Sequence, residues 1–393
     1  MTHDPRAGRD AMRVLVTGAR SLPALEAARQ LHRAGHEVFA CDTFPRHVSE
    51  RSRAVRGSFV LPSPRFEEEA FVRGLLARVE AHGIDVIVPT GEEALYLARH
   101  RARLGCEVIV DSIDQLESLH DKWVFNQRVA ARGLPAPRTW RLRTAAHLEA
   151  LRRAHAQIVA KPAFTRFGLQ TRVFEGHTDH AGDDDGARVA RLDWGRTLLA
   201  QELIQGTELC TFSVLQQGAL VAHVCYLPRY RFPLGPGYYF EPLAHPGARA
   251  WVQRFLADTR FTGSIGFDFI ETAAGELFAI ECNPRMTSGM LLFPDDGALG
   301  RALLGQGTAE PDLDTPAMVG LAMLASALPR LRSLAEARAW WRAVRAARDA
   351  LWRPHDTGPF WAQLSSFPYL VRLAWQHDLG LRQATTHQSE WNG

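Results

Sequence analysis

The sequence predicts an α/β and α+β chain: a doubly wound parallel sheet first, strand hairpins with helices next, and a helical extension last. Three observations carry this. Over the first ~115 residues, β-branched strand runs alternate with helical patterns, the signature of a parallel α/β unit. From there to ~300, short runs rich in Phe, Ile and Val are joined by glycine turns. Beyond ~300 the pattern is helical and rich in Trp.

Residues 13–17 read as a strand, 23–34 as a helix closed by Gly35-His36, and 37–42 as a second strand, which together make a βαβ unit. Only Gly18 follows the first strand, so a dinucleotide fingerprint is not supported. A helix over 67–82 and a strand over 85–89 continue the alternation. Thr90-Gly91-Glu92-Glu93 caps the next helix, and the two acids are assigned to its dipole rather than to a ligand. A strand over 106–110 completes the first domain, expected at 1–115.

Helical stretches at 111–120 and from Asp121-Lys122-Trp123 are ended by Gly133-Leu134-Pro135, and a helix at 145–154 leads to a strand ending in Ala160-Lys161-Pro162. The following loop, Ala163-Phe164-Thr165-Arg166-Phe167-Gly168, is placed to close over phosphates. The His- and Asp-rich stretch 177–186 reads as a solvated loop rather than a metal site. A strand at 198–204 precedes Gly206-Thr207-Glu208, and 210–215 pairs with 220–226 around Gln217-Gly218. Residues 229–239 hold too much Gly and Pro for regular structure and read as a long substrate-facing loop bearing Arg229 and Arg231. After a helix at 247–259 come two short strands in the stretches 266–271 and 277–285, turned at Ala274-Gly275. Helices are expected at 316–327 and 333–351. The aromatics Trp340, Trp341, Trp352, Phe360, Trp361, Phe367, Tyr369 and Trp375 are expected to cover the preceding domain, with a homodimer contact or a lipid-like ligand as alternatives.

Composition sets limits. With 393 residues, two or three domains are expected, and 46% apolar with 23% charged residues fits a globular protein. A net charge of +3 gives no argument for nucleic acid. No run of ~18 apolar residues spans a membrane, and the opening residues lack a signal-peptide core. Five cysteines without CxxC spacing suggest a reducing cytoplasm and no zinc site. Of the 46 basic residues only Lys122 and Lys161 are lysines. A bias that has replaced lysine by arginine elsewhere leaves lysine where a compact ammonium works and a planar guanidinium does not, phosphate binding being one such use.

The last hairpin carries the chemistry. A two-residue turn at Ala274-Gly275 pairs Asp268 with Glu281, and strand alternation puts Asn283 on the same face. Facing carboxylates destabilise one another, so two acids beside an amide carbonyl call for a hard cation such as Mg²⁺, the alternative being a surface hairpin whose acids are solvated, with Arg285 pairing one of them.

Read together, the order is a small α/β domain, Lys122, Lys161-Pro162 with its loop, Glu202-x5-Glu208, and Asp268…Glu281-Cys282-Asn283-Pro284-Arg285. It resembles the ATP-grasp superfamily, most closely its carbamoyl-phosphate-synthetase-like branch, over about residues 13–300. The resemblance implies a pre-ATP-grasp domain (1–115), a two-lobed ATP-grasp body (116–195 and 196–310) and a helical extension (311–393). It implies Asp268, Glu281 and Asn283 as ligands of Mg²⁺ (two ions, with Mn²⁺ able to substitute), and Lys122, Lys161 and Arg166 as phosphate contacts. Glu202, Leu203 and Ile204 fall on the strand that reads adenine, and Glu208 on the ribose. Arg285 falls on the arginine beside the acyl phosphate or γ-phosphate. Lys161 and Arg285 are the catalytic candidates; Arg229, Arg231 and Arg285 are the candidates for substrate carboxylate recognition. The loop after Lys161 departs from the family by offering only Gly168, which shifts phosphate contact to the Arg166 side chain. The implied activity is carboxylate–amine ligation from ATP on a small amino-acid-like or specialised-metabolite substrate. The alternatives are a phosphotransferase or carboxylase on the same nucleotide site, or a nucleotide-binding regulatory module without turnover.

Overall fold

The computed structural model describes residues 11–164, 171–175, 189, 192–232 and 235–392. Strands β1 (Arg13–Val16), β2 (Glu37–Asp42), β3 (Gly57–Val60), β4 (Val86–Val88) and β5 (Glu107–Val108) form a parallel sheet in the order β3-β2-β1-β4-β5. β1 and β4 are all-apolar at their centres and fully buried, as strands covered on both faces must be. Helices α1 (Leu22–Arg33), α2 (Glu68–His82) and α3 (Glu93–His100) connect them. Ser21 caps α1 by accepting from the Ala24 N–H, and Pro23 sits in its first turn. The strand order reverses between β1 and β4, so the loops after these two strands flank the crevice where sheets of this kind bind ligands.

Helices α4 (Ile113–His120) and α5 (Lys122–Ala131) lead into a four-stranded antiparallel sheet. Its strands are β6 (Thr139–Leu142), β7 (Gln157–Pro162), β8 (Arg172–Glu175) and β9 (Leu198–Glu202), in the order β6-β9-β7-β8, with α6 (Ala145–Ala154) on one face. β9 pairs with β6 and β7, so this sheet continues past residue 195, where the sequence divides the two lobes. Arg166, with its loop 165–170, and the stretch 177–186 lie outside the described residues.

The third sheet runs β14-β13-β10-β11-β12-β15-β16. It comprises β10 (Thr207–Gln216), β11 (Ala219–Arg231), β12 (Gly237–Leu243), β13 (Gly263–Glu271), β14 (Leu277–Asn283), β15 (Ala317–Met318) and β16 (Arg348–Asp349). Gln217 and Gly218, both at positive φ, make the tight turn between β10 and β11. Helix α7 (Pro246–Leu256) covers one face, where Trp251 and Phe255 meet Phe267, with Trp251 also on Phe269 and Phe255 on Phe125 from α5.

Two expectations are corrected here. Residues 229–239 are largely a β-hairpin: Tyr230 pairs with Tyr239 and Arg231 with Gly237. The Gly and Pro content of 229–239 argues against a regular strand. Instead the ladder bulges between Pro228 and Tyr230, and Gly237 lets the backbone pass close to Pro228 where a Cβ would collide. Residues 316–327 are not one helix. β15 first extends the sheet beside β12, and a short irregular helical stretch over 320–327 follows.

Helix α8 (Ala298–Leu303) packs on α1 so closely that a Cβ at Gly300 would strike the Gln30 carbonyl. Gly300→Ala is expected to destabilise the fold by about 1–3 kcal/mol, read as a lower urea midpoint with unchanged slope.

Beyond the third sheet, α9 (Leu334–Ala346) seats Trp340 in a cluster with Tyr238, Tyr239, Met318 and Met323. The chain then crosses to the first domain. Asp356 accepts from Arg29 Nε (2.9 Å), Ser52 Oγ (2.7 Å) and the Arg53 N–H (2.9 Å), and Arg353 meets the buried Glu26 at 3.3 Å. Helix α10 (Gly358–Gln376) lies against the turn 48–51 and packs Tyr369 on Phe44. The extension therefore covers the first domain as well as the third sheet. Only some of its aromatics do the covering, because Trp341, Trp352, Trp361, Phe367 and Trp375 are exposed. Among the described residues no helix is long and apolar enough to cross a membrane.

Candidate active site

The β13–β14 hairpin places Asp268 opposite Glu281, but by a different route from a plain two-residue turn. The loop holds three residues, Ala273-Ala274-Gly275, closed by the Thr272 N–H on the Glu276 carbonyl (3.0 Å) with Gly275 at φ 78°. That turn pairs Phe269 with Ala279, and a bulge at Ile280 supplies one extra residue before Asp268 meets Glu281. Asn283 joins the acids on their face. Its Nδ2 lies 3.2 Å from Asp268 Oδ2 and 3.5 Å from Glu281 Oε1, and its carbonyl accepts from Arg285 Nη2 at 2.9 Å. The amide thus turns its NH₂, not the expected carbonyl, toward the acids.

Both lysines converge here. Lys122 opens α5 behind the cap Asp121, whose carboxylate takes the Trp123 and Val124 N–H groups at 2.7 and 3.2 Å. From there Nζ reaches Glu281 Oε2 at 3.2 Å. Lys161, near the end of β7, donates to Gln201 Oε1 (2.8 Å) and to the bulge carbonyl of Ile280 (3.4 Å). Both side chains are buried. Burial, then the neighbouring Lys122 charge, pushes the Lys161 ammonium down to about 8. Burial opposes ionisation of Glu281, but Lys122 and Lys161 outweigh it and hold that carboxyl well below the usual range. Asp268 goes the other way: burial and the Glu281 charge raise it strongly. The pocket thus neutralises one acid and leaves the other short of positive charge. Two carboxylates and an amide in that state are a donor set fitted to a hard divalent cation.

Two residues beside this cluster escape the sequence reading. Glu92 is buried at the start of α3, with Oε1 3.9 Å from Arg285 Nε and Oε2 3.3 Å from His120 Nε2. Its neighbour Glu93 does serve the helix start, accepting from the Thr90 and Gly91 N–H groups and from Thr17 Oγ1. His120, at the end of α4, is pushed down to about 3 by burial and the Lys122 and Arg285 charges, so its ring is neutral. The position of Glu92 after β4, beside the strand-order reversal, is the one sequence-level signal that could have singled it out.

A segment of the extension also reaches the site. The Gln388 carbonyl accepts from Ser63 Oγ (2.6 Å), the Glu390 carbonyl from Tyr96 Oη (2.7 Å), and the Trp391 N–H donates to Glu92 Oε2 (3.2 Å). Asn392 then takes Arg196 Nη2 at 2.7 Å, just ahead of β9. Residues 388–392 therefore strap the first sheet to the second across the back of Glu92.

The remaining expected residues are placed as follows. Glu202, Leu203 and Ile204 leave the end of β9 half-buried, with Glu202 on Arg138 (Nε, 3.2 Å). Glu208 lies on β10 opposite Ile270, near enough to Asp268 to add to its rise. Arg231 and Arg229 each face an acid of their own sheet. Arg231 makes a two-pronged pair with Glu208, and Arg229 pairs with Glu241. The β11–β12 hairpin, absent from the sequence reading, aligns both arginines with acids of their own sheet. Of the three carboxylate candidates, Arg285 stands on Asn283 in the cluster, and Arg231 lies near enough to Asp268 to feel its charge.

No known family model and no curated protein sequence matches the chain. Solved structures do. An L-amino acid ligase from Bacillus licheniformis matches at a TM-score of 0.57 and 15% identity over 75% of each chain. N5-carboxyaminoimidazole ribonucleotide synthetase in its ADP complex matches at 0.61 and 13%, over 78% of this chain and 80% of that one. The biotin carboxylase domain dimer of Hydrogenobacter thermophilus 2-oxoglutarate carboxylase, with MgADP, ADP and bicarbonate, matches at 0.59 and 15%, over 75% and 70%. Identities this low speak to architecture. The likeness spans about three quarters of the chain and gives it the ATP-grasp fold.

Proposed function

We propose that this chain is an ATP- and Mg²⁺-dependent carboxylate–amine ligase acting through an acyl phosphate on a small amino-acid-like or specialised-metabolite substrate. The observation that carries this reading is the meeting of the chain's only two lysines at Glu281, opposite Asp268. Asp268, Glu281 and Asn283 would hold the metal, with the Asn283 amide turned over to offer its oxygen. When bound, Mg²⁺ neutralises phosphate charge; two ions, with Mn²⁺ able to substitute, belong to the same reading. Lys122 and Lys161 bind phosphate oxygens as point charges, and Glu208 exchanges Arg231 for the ribose hydroxyls. Arg285, backed by Glu92, faces the activated carboxylate. A substrate carboxylate oxygen attacks the γ-phosphorus and ADP leaves; an amine then attacks the acyl carbon and expels phosphate. Such chemistry needs positioning and charge neutralisation rather than a protein nucleophile, which accords with this side-chain set. The likeness to the Bacillus L-amino acid ligase supports the ligase reading. The bicarbonate-bound neighbour favours a second one, an ATP-dependent carboxylase.

One screen separates them. ADP release is measured over carboxylates crossed with amines, with and without bicarbonate, and products are identified by mass. A ligase releases ADP only when both partners are present and yields their amide. ADP release that needs bicarbonate and yields a carboxylated amine supports the carboxylase, and nucleotide binding without ADP release in any arm rejects both. A small-molecule enzyme of the cytoplasm, with its five cysteines free, is the setting that goes with this reading.

A further inference from the structure

Helix α10 is buried on one side and bare on the other. Ala362, Leu373 and Ala374 face the first domain, while Trp361, Leu364, Phe367, Val371 and Trp375 face water. The spacings of three, three, four and four residues place these five on one helical stripe. Exposure is high for such side chains: 57% for Trp361, 61% for Leu364 and 84% for Trp375. Trp352 continues the patch through edge-on contact with Phe360, whose ring meets Trp361 in the same way. At 150–250 Å² per large side chain, the patch leaves roughly 600 Å² of apolar surface in water, at or above the largest usual for a monomer.

We infer that this stripe is the two-fold interface of a homodimer, with α10 of one copy lying antiparallel on α10 of the other. The order of residues is self-complementary, as such an interface requires. With the axis between Phe367 and Pro368, Leu364 of one copy lies opposite Val371 of the other, and Trp361 falls one residue from Trp375, as Phe367 does from its own copy. Arg372, the one charged residue of the helix, falls opposite Gln363, so no like charges meet. Two copies would bury roughly 1,200 Å², the lower bound of a stable specific interface. A lipid surface suits the helix less well. Interfacial helices carry a polar face rich in Lys and Arg, whereas the opposite face here is occupied by protein and the helix holds a single basic residue.

The test is the mass of the full chain in solution by sedimentation velocity and light scattering from 1 to 50 µM. Twice the 43.8 kDa chain mass is expected. Phe367→Asp sets two carboxylates beside the axis and should weaken association at least 100-fold with unchanged far-UV circular dichroism. Trp375→Ser removes the most exposed ring, which contributes least to the monomer, and should weaken it at least 10-fold. A single-chain mass throughout the range overturns the proposal. So does a dimer that survives both substitutions, or a monomer that floats with phosphatidylcholine–phosphatidylglycerol vesicles.

Discussion

Replacing Glu281 by Gln is expected to lower ADP release by about 10³-fold while the protein stays folded. The loss follows from the proposed metal site, where one of two opposed carboxylates disappears and charge neutralisation worth several kcal/mol goes with it. Survival of the fold follows from the coupling between the acids. Burial and the Glu281 charge raise the Asp268 carboxyl strongly. Without that charge Asp268 ionises more readily and takes over the neutralisation of Lys122 and Lys161. The measurement is the ADP release rate beside a thermal midpoint; near-normal release from a folded Glu281→Gln protein would sink the metal assignment.

Lys161→Arg should be nearly as damaging, although it keeps the charge. Lys161 is buried between the Gln201 amide oxygen and the Ile280 carbonyl, a seat sized for one ammonium. A guanidinium brings a wider plane and five donors in a fixed fork, which the Gln201 and Ile280 oxygens around one ammonium do not match. We expect about a 100-fold loss in kcat/KM, weaker ADP binding by calorimetry, and a stability loss of about 1–3 kcal/mol from overpacking. Unchanged nucleotide affinity and rate would count against Lys161 as a phosphate contact.

Much of this site could be read from sequence because its key spacings are local. Glu281 and Asn283 share a strand face by alternation alone, and a hairpin fixes the strand opposite them. The scarcity of lysine pointed to Lys122 and Lys161, which a spacing argument could not have joined across 39 positions. What could not be read is convergence between distant elements. Glu92 approaches Arg285 and His120 only because the first sheet packs against the third, and nothing local distinguishes it from the dipole-serving Glu93. The 229–239 stretch was misread for another reason. Pro and Gly forbid a regular ladder but not one with bulges, and aromatic pairing between Tyr230 and Tyr239 carries the strand through.

The bulge at Ile280 has a consequence for how such sites diverge. Ile280 is surplus to the ladder, so a lineage that lost it would still set Asp268 against Glu281 and forfeit only the carbonyl that meets Lys161. The interval between the two acids is therefore free to change by an insertion or deletion, in a hairpin that otherwise looks rigid. The interval from Glu281 to Asn283 has no such freedom, because one residue more or less turns the amide to the far side of the sheet. Descent should preserve the second spacing and let the first drift.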